Sequence, residues 1–257
     1  MKIAFVGTGN VIFHLAPALS AVGHEVVALY ARHRQHAESL LEKLPDTALL
    51  TQPDFTETEA ELLIVSVSDD AYPDVVAELR LSPETLLTHT SGSQPMDVLK
   101  PAAERIGVFY PLQTFSKAKP LDIRQVLFCP EAAQPWDHEL LEDLITSLGA
   151  KTQPMNSRQR QQVHLAAVFA CNFSNLIWHI AEELLEKQGL DFALLDPLLR
   201  ETLEKALRLN PSHSQTGPAV RGDEAILQKH HELLFGTSYQ QLYTQLSRLI
   251  QDKNEAS

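Results

Sequence analysis

Gly7, Thr8, Gly9, Asn10 and Val11 follow directly on the apolar run Met1–Val6 and lead into an apolar-periodic stretch from Phe13 to Val22. Two glycines spaced this way at a strand-to-helix turn suit one kind of chemistry, the holding of an anion by backbone N–H groups. Gly7 permits the tight turn, Gly9 lets the backbone approach a pyrophosphate, and the helix that begins here presents its positive end. The G-x-G-x-x-G pattern is incomplete, because Ile12 stands where a third glycine would let helix and strand pack closely. Its context is right, since the run Val26–Tyr30 completes a β-α-β unit. About twenty residues after the glycines, a carboxylate would select the free ribose of NAD. The chain instead reads Ala31-Arg32-His33-Arg34, with no carboxylate before Glu38. Arg32, His33 and Arg34 offer positive charge to a 2′-phosphate, so the expected cofactor is NADP.

Open α/β sheets bind ligands beyond the carboxyl ends of their strands. Three polar segments fall there: Ser66–Asp70, His89–Ser93 and Tyr110–Phe115. Ser66, Ser68, His89 and Ser91 are assigned to the cofactor, and Gln113 joins His89 and Ser91 as a group aimed at nicotinamide or substrate. Farther on, the stretch His164–His179 is apolar nearly all round, which predicts a buried helix. At about 100° per residue, His164, Asn172, Asn175 and His179 share an arc of roughly 80°. Polar groups on a buried helix need partners, so this stripe predicts a wet cleft. Arg221 lies in the segment Thr216–Asp223, with Asp223 as the expected N-cap of the next helix. The expected catalytic set is His164 as acid/base, Asn172 as the group orienting a carbonyl, imine or hydroxyl, and Arg221 as anchor for an anionic substrate. No His, Cys and carboxylate spacing specifies a metal.

These residues need elements to hold them. Short apolar runs at Ala48–Leu50, Glu61–Val67, Thr85–Thr88, Ile106–Tyr110, Val126–Cys129 and Lys151–Met155 alternate with helical patterns. This rhythm predicts a doubly wound, mostly parallel α/β sheet of Rossmann type over residues 1–154. From Ser157 strand patterns cease. Helices are expected over Arg158–Gln188, Phe192–Leu209, Asp223–Leu234 and Ser238–Asp252, giving an all-α domain over residues 155–257 with a frayed end from Lys253.

A net charge of −12, spread along the chain, argues against nucleic acid and anionic membrane as partners. No apolar run reaches transmembrane length in this reading. The two cysteines, Cys129 and Cys171, sit in apolar settings and are expected to be buried, inert thiols of a reduced cytoplasmic protein.

The motifs together resemble a bacterial family of NADP-binding oxidoreductases that pair a Rossmann-like domain with a helical C-terminal domain of unknown function. The similar segments are Gly7-Thr8-Gly9-Asn10-Val11 with His14-Leu15, His89-Thr90-Ser91-Gly92-Ser93, and Tyr110-Pro111-Leu112-Gln113-Thr114-Phe115. His164-Leu165-Ala166-Ala167-Val168 with Asn172, and Thr216–Asp223, complete them. The wider superfamily takes in pyrroline-5-carboxylate reductases, 6-phosphogluconate and β-hydroxyacid dehydrogenases, and deazaflavin-dependent NADP reductases. The resemblance implies NADP in the first domain and a helical domain that closes the cleft and often dimerises, and the expected protein is a homodimer that holds a small polar substrate between its domains. It names no substrate. The catalytic lysine of the β-hydroxyacid dehydrogenases has no counterpart, since Lys151 precedes the long helix and Lys187 lies near its end. His164 takes the proton-transfer role in this reading. The alternatives are a dinucleotide sensor or scaffold without turnover, and a deazaflavin-dependent NADP reductase.

Overall fold

The computed structural model describes residues Met1 to Glu255. Strand β1 (Lys2–Val6), helix α1 (Asn10–Ala21) and strand β2 (Glu25–Tyr30) form the opening unit. Strands β3 (Ala48–Leu50), β4 (Leu62–Val65), β5 (Leu86–His89), β6 (Ile106–Leu112), β7 (Leu127–Ala132) and β8 (Lys151–Thr152) complete an eight-stranded sheet. Its order is β3-β2-β1-β4-β5-β6-β7-β8. All neighbours are parallel except β6 and β7, whose connection carries no crossover helix.

Helices α2 (Glu38–Leu41), α3 (Tyr72–Glu78) and α4 (Pro135–Ser147) cover the sheet together with α1. Successive residues of β1 point to opposite faces. Ile3 and Phe5 join Leu15 and Leu19 of α1 and Leu141 and Ile145 of α4 in one core layer. Ala4 and Val6 join Tyr72 and Val76 of α3 in the other. Burial on both faces is why the strands read as unbroken apolar runs. Ile12 is fully buried in the first layer, so the missing third glycine is accommodated by packing rather than by close backbone approach.

After the sheet come α5 (Ser157–Ala167), a π-helical turn (Val168–Phe173), α6 (Ser174–Glu186), α7 (Asp196–Leu209), α8 (Pro211–Ser214), α9 (Pro218–Arg221), α10 (Glu224–Leu233) and α11 (Tyr239–Glu255). The chain forms two compact units, Met1–Cys171 and the remainder from Asn172. The division falls inside the long helix instead of at Pro154, because α5 is bonded to the sheet unit through Ser157, Arg160 and Gln161.

Several expectations are corrected. The helix Ser157–Glu186 is not buried: among its described residues only Arg160 is, while Leu165 and Leu176 are about half exposed at 50% and 49%. By length and apolar composition it could cross a membrane, contrary to the expectation that no run reaches that length. Cys171 is exposed, whereas Cys129 is buried and its thiol is pushed up to about 11 by that burial. The last helix continues through Lys253 to Glu255 instead of fraying there, and Ala256 and Ser257 lie outside the described residues.

Candidate functional site

Strands β1, β2 and β4 end at one edge of the sheet, and the turns that follow them bound a cleft of about 710 Å³. Gly7 has φ +104°, and a Cβ there would stand 2.1 Å from the carbonyl oxygen of Ser66. Its N–H donates to Tyr30 O at 2.9 Å, and Ser66 N donates to Val6 O at 2.9 Å. Three strands are thus pinned around a position that requires glycine. Gly9 is the N-cap of α1, and no atom lies within 4 Å of where its Cβ would be. No side chain caps the first turn of α1. Its N–H groups lack a side-chain acceptor, and an anion would supply one. The open cradle over Gly9 therefore fits a dinucleotide pyrophosphate.

Thr8, Asn10, Val11, Arg32, His33, Ser66 and Ser68 all line this cleft. Arg34 does not. It opens the 3-10 turn Arg34–Ala37, and His36 of that turn lines the cleft instead. Lys117 also lines it, from the long β6–β7 connection. No local pattern around Lys117 signals this, because the contact is made by a loop remote in sequence.

His89 is corrected. It is fully buried and packs edge-on against Tyr72, with ring centroids 5.5 Å apart, so its imidazole lies in the core and does not line the cleft. Ser91 N donates to its Nδ1 at 3.1 Å. Burial, reinforced by the charge of Arg160, pushes His89 down to about 3. A base with a depressed folded value contributes stability that is complete above its ordinary range, near 6.5, and lost as pH falls toward 3. Between pH 6.5 and 4.5 the fold should lose about 2 kcal/mol from this group, at ~1.4 kcal/mol per pH unit. Thermal melts of wild type and His89→Phe across that range test this. Parallel pH slopes would rule His89 out as the cause.

Ser91 is also used internally. Its hydroxyl donates to Asp69 Oδ1 at 2.7 Å and accepts from the N–H groups of Ser93 and Gln94 at 3.1 and 3.0 Å. Gln113 is occupied likewise, accepting from Thr114 N at 2.8 Å. His164 also stands in this region. Its ring lies over Gly92, where a Cβ would come within 2.5 Å of His164 Nδ1 and 2.8 Å of Tyr110 Cζ. Tyr110 Oη is 3.3 Å from the same Nδ1. Burial pushes the Tyr110 hydroxyl up to about 12.

The start of α5 sets this geometry. Asn156 and Gln159 form a reciprocal capping box, with bonds of 2.9 and 3.0 Å. One turn before His164, the fully buried Arg160 pairs with Glu131 of β7 and donates to Gln94 O at 2.6 Å. Gln161 Nε2 donates to Ser93 O at 2.8 Å, and Met96 N donates to Ser157 Oγ at 3.0 Å. The turn after β5 is thereby clamped to α5. The spacing Asn156-x-x-Gln159 is a readable start signal for this helix, but the partners of Arg160 and Tyr110 are not readable.

Asn172 and Arg221 fall in the second unit. Asn172 sits in the π turn, which breaks the count of 100° per residue on which the four-residue polar stripe depended. His179 faces carboxylates of its own helix, Glu182 at 3.1 Å and Glu183 at 3.4 Å. Arg221 pairs with Asp223 at 2.7 Å, and Asp223 makes no side-chain cap for α10.

Two family models match the chain: a Rossmann-like domain over residues 1–113 and a domain of unknown function, DUF2520, over residues 126–250. A proposed NADP oxidoreductase from Bacteroides fragilis is 38% identical, with a TM-score of 0.88 and 98% of each chain covered. A protein from Thermotoga maritima is 22% identical, with a TM-score of 0.68 over 99% of this chain and 98% of the other. A Plasmodium falciparum pyrroline carboxylate reductase, solved with NADP bound, shares the fold at 13% identity and a TM-score of 0.61, over 100% and 97% of the two chains. No curated protein matches.

Proposed function

The chain belongs to the family that joins a Rossmann-like domain to a DUF2520 domain, and from this we propose that it is an NADP-dependent oxidoreductase acting on a small polar substrate. One observation carries the reading. An uncapped, glycine-cradled helix start and the His164–Tyr110 pair stand along the same carboxyl edge of one sheet. When bound, the dinucleotide supplies hydride chemistry at the nicotinamide.

The protein's own groups do the rest. The Gly9 turn binds the pyrophosphate, and Arg32 and His33 neutralise the 2′-phosphate. β4, β5 and β6 are successive neighbours, so the turn after β5 and Tyr110 on β6 lie roughly 5–10 Å along the edge from the cleft wall at Ser66. His164 exchanges a proton with the reacting oxygen or nitrogen, and Tyr110, bonded to its Nδ1, positions the ring.

The same reading makes the protein a cytoplasmic homodimer. In the helical unit only Ala219 and Leu234 are buried among the described residues, while Leu203, Leu207, Leu233 and Phe235 are 62–82% exposed. Such apolar area needs a cover, and a second copy is assigned to it.

Calorimetry on the full chain should register NADPH binding, with NADH weaker. Light scattering on the same sample should give the mass of two chains. NADPH oxidation should follow with a member of a panel of keto acids and imines, and His164→Ala should retain NADPH while losing about 100-fold or more of turnover. Absence of heat with either nucleotide refutes the cofactor assignment. Binding without oxidation by any panel member, unaffected by His164→Ala, refutes the catalytic one. A monomer refutes the dimer.

A further inference from the structure

We infer that Lys117 sets the preference for a phosphorylated dinucleotide, delivered to the cleft by a loop strapped onto α1. The inference rests on the reading of the cleft as an NADP site. β6 lies three places from β1 in the sheet, about 14 Å away. The chain leaving β6 nevertheless returns to the first turns of α1. Asn10 Nδ2 donates to Phe115 O at 3.1 Å, and His14 Nε2 donates to Ser116 O at 2.9 Å. The ring of Phe115 rests against that of His14, with centroids 5.9 Å apart. These contacts spend the Asn10 and His14 side chains on the loop and fix the residue that follows it, Lys117, at the cleft wall.

The side of α1 on which Lys117 stands is set by Phe13. Its ring carries Lys43 Nζ at 3.7 Å from the centroid and Lys117 Nζ at 5.3 Å. Lys43 comes from the segment after β2, next to α2. The phenyl ring and Lys117 are therefore on the β2 side of α1, where Arg32 and His33 lie and where the adenosine ribose of a dinucleotide rests in this fold. On a chain of net charge −12, these cations make a local positive field suited to a dianionic group. The ammonium of Lys117 reaches the 2′-phosphate as a point charge held by a loop rather than by the strand end.

The test compares ligands with and without that phosphate. NADPH, NADH, 2′,5′-ADP and 5′-AMP are titrated by calorimetry against wild type, Lys117→Met and Lys117→Arg, with circular dichroism to verify folding. Lys117→Met should weaken NADPH and 2′,5′-ADP about tenfold and leave NADH and 5′-AMP within twofold, while Lys117→Arg recovers most of the loss. Equal weakening of all four ligands would place the lysine on the adenosine 5′-phosphate they share and overturn the inference. Unchanged affinity for 2′,5′-ADP would overturn it too. A wild type that binds none of the four refutes the cofactor reading beneath it, a result separable from the other two.

Discussion

Gly7→Ala should destabilise the sheet unit by roughly 2–4 kcal/mol and abolish measurable NADPH binding. The new methyl would stand 2.1 Å from the Ser66 carbonyl oxygen, on a backbone held at φ +104°. Neither partner can yield cheaply. Gly7 N is bonded to β2 through Tyr30 O, and Ser66 N to β1 through Val6 O. Relief of the clash must separate β4 from the β1 turn, which moves the first turn of α1 away from the pyrophosphate. Gly9→Ala is the informative contrast. Its φ of −68° suits any residue, and its surroundings are open. That variant should melt within about 0.5 kcal/mol of wild type and still lose NADPH affinity about tenfold, because the methyl occupies the space of the ligand. Chemical denaturation and calorimetry on both variants separate the two roles. A Gly7→Ala protein that melts and binds like wild type would show that the turn is not built as described.

Arg160→Met should cost about 3–5 kcal/mol. Arg160 is fully buried, and its loss leaves Glu131, itself only 16% exposed, without a counter-charge. It also strips Gln94 O of its donor and frees the turn that carries Gly92. The melting midpoint should fall by on the order of 10 °C. The double variant Arg160→Met/Glu131→Leu should recover much of this, since removing both charges removes the desolvation problem. A single variant within about 1 kcal/mol of wild type would mean that water reaches Glu131 and that the clamp on α5 is weak.

The legible part of this molecule was the part governed by local periodicity. Alternating apolar runs predicted a mostly parallel sheet with helices around it, and the sheet has that form. The glycine spacing placed the cleft, because a positive-φ turn at Gly7 and an open helix start at Gly9 are properties of a few consecutive residues. The same logic failed for His89. An apolar strand ending in a polar residue reads as a site, but the strand is long enough to carry that imidazole into the core beside Tyr72. It failed again for the long helix, whose composition predicts burial although burial depends on what packs against it.

The amino-acid order by itself determined the element types, the glycine turn that opens α1 and a cationic rather than acidic end to β2, since each follows from neighbours within one or two turns of chain. Only the tertiary structure decided which loops meet. Strand order brings Gly92, Tyr110 and His164 together and returns Lys117 to α1, and the buried Arg160–Glu131 pair holds α5 against the sheet. Those contacts join segments tens of residues apart. Their register is set by packing and desolvation across the whole sheet, which no local pattern encodes.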